Sequence, residues 1–273
     1  MADSTDRFRI LVPCDFSEAF WQALETCATL DWPRPVELLV LTVGDPLNVS
    51  DKRQASEHRL AEWHSAWQHK FETRILEATG RFVNAVLDAV GAHDVDMIVV
   101  GTRGSRGWDG VFVGSHAEKI VRLSPVPVLT VQQRPGPPTL RDIVVPIDID
   151  HIPGELSACL AKLSAWLGGR FHLLHVESDP AKSEEELLAT LDGCSAKLGL
   201  SYAVNAVEQA ESVAEGVLKY AGRIGADLIV MGTMGDADPA HMFRPSFAAD
   251  VVNHSRIPVL ACPLRHRLVS EAH

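Results

Sequence analysis

The sequence predicts two tandem α/β domains, each a five-stranded parallel sheet with helices on both faces. Three observations predict it. The first is an internal repeat: Asp96 and Asp227, Gly101 and Gly232, Gly104 and Gly235, and Pro127 and Pro258 all lie 131 residues apart. Asp15 and Asp148 lie 133 apart, at the ends of the matching runs Ile10-Leu-Val-Pro-Cys-Asp15 and Ile143-Val-Val-Pro-Ile-Asp148. An offset that drifts by two residues over most of a domain marks a duplication. The second is that, in each half, short apolar runs alternate with longer segments of helical periodicity, as buried parallel strands joined by covering helices require. The third is the stretch Gln132-Gln133-Arg134-Pro135-Gly136-Pro137-Pro138-Thr139, whose prolines and glycine read as a linker. The domains are therefore placed at 1–133 and 139–273.

In the first half the apolar runs put strands at 8–13, 36–43, 71–76, 96–100 and 126–131, with helices in the gaps. The second half repeats the order at 142–147, 170–176, 202–207, 227–231 and 258–262. Ser17 stands where a cap for the first helix belongs. Trp63 and Trp67, four apart in the polar segment 51–70, form one helical stripe suited to the core or to an interdomain contact. Ser115-His116-Ala117-Glu118 is a capping box, in which serine and glutamate satisfy free helix amides reciprocally.

With 273 residues and 46% hydrophobic content, the chain can bury two cores of ordinary size. Its formal charge of −11 divides into 14 basic against 18 acidic residues up to Arg134 and 11 against 18 beyond it. Neither half is basic, so no nucleic-acid partner is expected. No window approaches the roughly 18 apolar residues of a membrane span, and no apolar run follows a basic N-terminal stretch. A cytoplasmic protein with no membrane partner is expected. Its five cysteines, Cys14, Cys27, Cys159, Cys194 and Cys262, are scattered without a C-x-x-C pair and read as reduced thiols.

The chemistry concentrates after the fourth strand. Gly101-Thr102-Arg103-Gly104, nine residues, then Gly114-Ser115 form a glycine-spaced loop between an apolar strand and a helix. In open parallel sheets, ligands bind beyond the carboxyl ends of the strands at the switch in strand order, where Asp15 and Gly101 both fall if strands one and four are neighbours. Glycines there let backbone N–H groups approach phosphate oxygens, and the helix opened by Ser115 favours an anion through its free amides and dipole. This is the plan of a Rossmann-like, nucleotide-binding sheet. Each residue also has a plainer reading: Asp15 and Ser17 as helix caps, the glycines as a flexible loop, Arg103 and Arg106 as solvated charges.

These residues resemble the universal stress protein family in its tandem-domain type. The family signature of a glycine, two residues, a glycine, nine residues, a glycine and a serine or threonine is satisfied in full by the first half. Ile10-Leu-Val-Pro-Cys-Asp15-Phe16-Ser17 is similar to the family's opening and Val126-Pro127-Val128-Leu129 to its closing strand. The resemblance implies ATP binding in a nucleotide-dependent stress-response regulator, with Mg2+ as a possible companion. It places Pro13 and Asp15 against the adenosine portion, backbone at Val43 on the adenine edge, and Gly101, Gly104, Gly114 and Ser115 around ribose and phosphates. Arg103 and Arg106 are added on charge, because a triphosphate gains from nearby cations. It also implies that the last strands of the two halves meet in an intrachain pseudo-dimer, leaving further homodimer formation open.

The second half departs from the signature. Pro245 replaces the third glycine and has no N–H to offer, Asp236 and Asp238 stand against Arg244, and Asp150 occupies the position of Ser17. One competent site per chain, in the first half, is expected for ATP or ADP. No G-x-x-x-x-G-K loop, no G-x-G dinucleotide start and no G-x-S-x-G elbow occurs, and Cys14 beside Asp15 is a disfavoured thiolate. His116 and Asp109 are the nearest candidates for a base and neither is an evident one, so no enzyme is expected. His58, His64 and His69 do not stack on one helical face, and His172 and His175 fall on opposite faces of a strand, so no metal site is expected. The alternative is a scaffold that offers its duplicated domains to an unknown protein partner without nucleotide.

Overall fold

Strand β1 (Phe8–Cys14) is buried along its last five residues, as a strand covered on both faces must be. It pairs in parallel with β2 (Val36–Val43) on one side and β4 (Met97–Gly101) on the other. Strand β3 (Phe71–Ala78) extends the sheet beyond β2, and β5 (Val128–Val131) extends it beyond β4. The order β3-β2-β1-β4-β5 turns back at β1, the strand laid first. With right-handed crossovers, this order sends α1 (Glu18–Thr29) and α2 (Asp51–Trp67) to one face and α3 (Phe82–Ala92) and α4 (Ser115–Leu123) to the other.

The structure, a computed structural model, describes residues 7–32, 34–44, 51–102, 115–132, 140–178, 182–200, 202–233 and 245–264, and of these only the backbone at 51–57, 115, 165–167 and 245–246. The chain divides into Met1–Ile120 with Val126–Thr139, and Val121–Pro125 with Leu140–His273. The second unit repeats the first. Its strands β6 (Asp142–Pro146), β7 (Arg170–Glu177), β8 (Val204–Gln209), β9 (Leu228–Thr233) and β10 (Val259–Pro263) pair in parallel in the order β8-β7-β6-β9-β10. Its helices are α5 (Gly154–Leu167), α6 (Glu184–Lys197), α7 (Val213–Ile224) and α8 (Pro245–His254). Each unit is thus a Rossmann-like parallel sheet with helices on both faces.

Each core is a sandwich of strand and helix faces. Ile10, Leu11, Leu38, Leu39 and Ile98 are fully buried in the first unit, as are Ile143, Leu156 and Leu160 in the second. Each such side chain contributes about 1.5–3 kcal/mol relative to exposure. Helix α1 lays Phe20, Trp21, Leu24, Cys27 and Ala28 inward, the i, i+3, i+4 spacing of a covering helix. Trp63 stacks on Phe71 of β3 and lies beside Trp67, so the tryptophan stripe of α2 packs within its own unit.

The repeated aspartates hold the strands in register. Asp96 Oδ2 accepts the amide of Arg9 at 2.8 Å, and Asp227 Oδ2 accepts the amides of Arg141 and Asp142 at 3.0 and 3.3 Å. The repeated prolines begin the last strands. Pro127 and Pro258 lack an N–H, but their carbonyls accept from Ile98 and Ile229 at 2.9 and 3.0 Å. Strand β5 accordingly starts at Val128 rather than at 126. The expected strand at 202–207 shifts to Val204–Gln209. Gly199 takes φ 71°, the chain turns with Ala203 N donating to Leu200 O at 2.9 Å, and Tyr202 is left 97% exposed.

Two buried carboxylates anchor cations. Glu37 accepts from Arg9 Nε and Arg74 Nη1, both at 3.0 Å, and Glu208 pairs with Lys219 and Arg223. Burial pushes the Glu37 carboxyl upward, but the hydrogen bonds and charges of Arg74 and Arg9 outweigh it and hold the pKa below the usual range. A depressed folded pKa means that this stabilisation is whole above the ordinary carboxylate range and is lost as pH falls through the depressed value. Glu37→Gln is expected to lose about 2 kcal/mol at neutral pH and to flatten the acid limb. Urea unfolding at neutral and acidic pH checks it; a wild-type loss at low pH that the variant reproduces in full contradicts the assignment.

The cysteine expectation is corrected in the second unit. Cys159 of α5 and Cys262 of β10 are joined as a disulfide, while Cys14, Cys27 and Cys194 are buried and outside any disulfide. The two partners are 103 residues apart and only the fold brings them together.

Candidate functional site

Of the residues expected to bind a ligand, Pro13, Asp15, Val43 and Gly101 lie at the carboxyl edge of the first sheet. Pro13 is buried at the end of β1, and Asp15 is exposed just beyond it. The chain turns through Phe16, whose φ of 56° is left-handed, a conformation strained for a bulky residue. Phe16 meets Phe20 edge-on at 6.0 Å. The turn is closed by Asp15, whose Oδ1 accepts the amide of Ser17 at 2.9 Å. Ser17 then caps α1, with its Oγ accepting from Phe20 N at 3.3 Å. The capping reading thus holds for Ser17, whereas Asp15 closes the turn ahead of the helix; both hydrogen bonds are local. They leave Asp15 capacity for a ligand, since a carboxylate offers about four acceptor sites.

Val43 is half-buried at the end of β2. The β1–β2 register ends at Cys14–Thr42, so Val43 lies past the last paired residue of β1. A backbone group there has room to meet a heterocycle edge. Thr42 turns its hydroxyl the other way, donating to Leu76 O at 3.1 Å.

Gly101 ends β4, and its role differs from that of a simple phosphate contact. A Cβ at this position would fall inside the Ala19 carbonyl of α1, so the absent side chain is what lets the first helical turn seat on the strand. The glycine builds the crevice by placing α1. Thr102, buried next to it, directs both its amide and its hydroxyl to Val131 O, at 2.7 and 3.2 Å. Arg103, Gly104, Arg106, Asp109 and Gly114 lie outside the described residues. Ser115 opens α4 as expected, with its side chain also outside them. His116 follows, and its ring stacks on Phe82 at the start of α3 at 5.0 Å. Sequence reasoning did not find this stack, since two residues 34 positions apart carry no pattern that pairs them.

The arrangement combines an accessible carboxylate, strand backbone that extends past its β1 neighbour while still pairing with β3, and the N-termini of two helices, the kinds of group that meet a ribose, a base edge and an anion. The glycine signature and this geometry agree with a family assignment made independently. The model of the universal stress protein family matches residues 7–132 and again 139–263. The chain belongs to the universal stress protein family. Among relatives, a universal stress protein of Thermus aquaticus is 42% identical over 53 residues, covering 19% of this chain and 39% of that protein. One from Methanocaldococcus jannaschii is 27% identical over 85 residues, covering 31% and 49%. The chain thus spans less than half the length of these two curated relatives. A crystal structure of a universal stress protein from Archaeoglobus fulgidus shares the fold at a TM-score of 0.73 and 21% identity, covering 94% of this chain and 98% of its own.

In this universal stress protein the second unit diverges at the same edge. Asp148 Oδ1 accepts the amide of Asp150 at 3.0 Å, repeating the turn of Asp15 and Ser17. Helix α5, however, starts only after Pro153, which gives no side-chain cap. By the shared register, Pro146 opposite Leu174 as Pro13 is opposite Leu41, His175 stands where Thr42 stands. Its Nε2 lies 3.7 Å from Glu177 Oε2. His172, three residues earlier, instead joins Asp142 and Tyr220 at 2.9 and 3.0 Å, so the two histidines face different partners. Pro245 begins α8, and the acidic loop before it is outside the described residues. No helix among the described residues is long and apolar enough to cross a membrane.

Proposed function

We propose that this chain is a nucleotide-dependent regulator that binds one ATP or ADP in the first unit. The observation that carries the reading is the coincidence, in the first half, of the full glycine signature with an α1 that is capped and seated at the carboxyl edge of the sheet. There Ser17 caps α1 and Gly101 seats it, while the second half has an uncapped helix start and Pro245 in the signature. Asp15 would hold the ribose hydroxyls and Val43 backbone the base edge. The loop from Gly101 through Arg103, Gly104 and Gly114 to Ser115 would hold the phosphates, with Mg2+ compensating their charge. The reading is of a binding role rather than an enzymatic one, and nucleotide recovered unchanged after prolonged incubation with the protein would support it. A cytoplasmic location, where ATP is abundant, fits this reading.

Titration calorimetry with ATP and Mg2+, paired with mass spectrometry of nucleotide released from the purified protein, tests it. One site per chain is expected, with Asp15→Asn weakening binding about tenfold, near 1.4 kcal/mol. Two equivalent sites would remove the asymmetry. No bound nucleotide and no heat of binding would replace this reading with a scaffold serving a protein partner.

A further inference from the structure

We infer that Cys159 and Cys262 form a redox-modification site, a reversible dithiol–disulfide couple that controls how firmly the carboxyl ends of β9 and β10 are held. This inference does not rest on nucleotide binding. Cys159 lies half-buried on α5, and Cys262 is fully buried on β10. Their Cα atoms are 6.6 Å apart, within the span that a disulfide bridges without backbone movement. The remaining thiols are poor competitors. Burial pushes the Cys27 thiol far up and the Cys194 thiol up as well, and Cys14 is buried.

The bond is placed where it can act. Cys262 sits opposite Gly232 in the β9–β10 register, and its carbonyl accepts the hydroxyl of Thr233, the last residue of β9, at 3.3 Å. Leu264, just after β10, donates its amide to Thr233 O at 3.0 Å. The strand end from which the second glycine segment departs is therefore hydrogen-bonded to the residue that carries the disulfide. The repeat offsets put Thr26 and Val131 at the corresponding places in the first half, so the couple belongs to the second unit alone.

The oxidant is a hydroperoxide. The half-exposed Cys159 thiolate attacks one oxygen of hydrogen peroxide; an S–O bond forms, the O–O bond breaks, and hydroxide leaves, taking up a proton to become water. The Cys262 sulfur then attacks the sulfenic sulfur; the S–S bond forms, the S–O bond breaks and a second water departs. Two thiols and one peroxide thus give one disulfide and two waters. Reduction runs by thiol–disulfide exchange at the more accessible Cys159 sulfur, with two equivalents of small thiol oxidised to their own disulfide.

The full chain, purified under reductant and then treated with hydrogen peroxide, is to be mapped by differential alkylation and by hydrogen exchange. Cys159 and Cys262 are expected to lose alkylation together and to regain it under excess dithiothreitol. Amides of β9 and β10 are expected to exchange at least tenfold more slowly in the oxidised chain. Cys262→Val, which installs the first half's residue, is expected to abolish the peroxide effect on exchange. Three results would overturn the inference: both thiols still alkylated after peroxide, a bond that resists excess thiol in the folded chain, or a bond that forms without slowing exchange. The wild-type comparison stands even if the variant does not fold.

Discussion

Gly101→Ala is expected to destabilise the first unit by about 3 kcal/mol, the upper end of the usual range for an overpacked site, and to abolish with it the nucleotide binding proposed for that unit. The new methyl group would meet the Ala19 backbone carbonyl, not a side chain that can rotate away. Relief requires α1 to lift from β4, which displaces Ser17 and the turn held by Asp15. Gly232→Ala is the matched control. Its methyl group would approach Leu264 Cδ1 at 2.7 Å, and that leucine can change rotamer, so the expected loss is about 1 kcal/mol or less. Denaturant unfolding of both variants checks the contrast. Equal losses would show that α1 accommodates the extra carbon, and the packing role assigned to Gly101 would fall.

Reducing the Cys159–Cys262 bond is expected to lower the melting temperature of the second unit by on the order of 10 °C. The bond closes a loop with a sequence separation of 103, and in the chain-entropy account a loop of that size is worth about 4.7 kcal/mol. That figure is an upper value, because a denatured chain with residual structure has less entropy to lose. Calorimetric scans with and without reductant, and of Cys262→Val without it, measure the effect. Coincident transitions in all three would mean that the bond adds nothing to the native state that packing does not already supply.

Much of the fold is legible because burial on both faces of parallel strands leaves dense apolar runs. Strand β2 is found over the same residues in sequence and structure, and several of the others differ by one or two residues. The Ser17 cap is legible for a similar reason, since one side chain and an amide three residues on suffice to make it. Tyr202 misleads because its strand propensity is read locally, whereas Gly199 carries the turn past it. Other parts depend on what lies across the fold. The Gly101 spacing suggests a phosphate loop, but only the position of Ala19 shows that the missing side chain seats a helix. The stack of His116 on Phe82, the placing of His175 at the Thr42 position and the Cys159–Cys262 bond arise from register and helix docking. Scattered cysteines read as reduced thiols until the fold supplies a distance.

The bond from Asp96 to the amide of Arg9 spans 87 positions, and β1, laid down first, gains its second neighbour only when β4 arrives. At a synthesis rate of roughly 5–20 residues per second, that interval is roughly 4–17 s. Throughout it the nascent chain holds β1 with one edge unpaired beside apolar runs that have no cover. Asp227 repeats the interval for β6 across 86 positions. Emergence from the ribosome thus exposes this duplicated chain twice, once per unit, and each time closure waits on a strand made late in that unit.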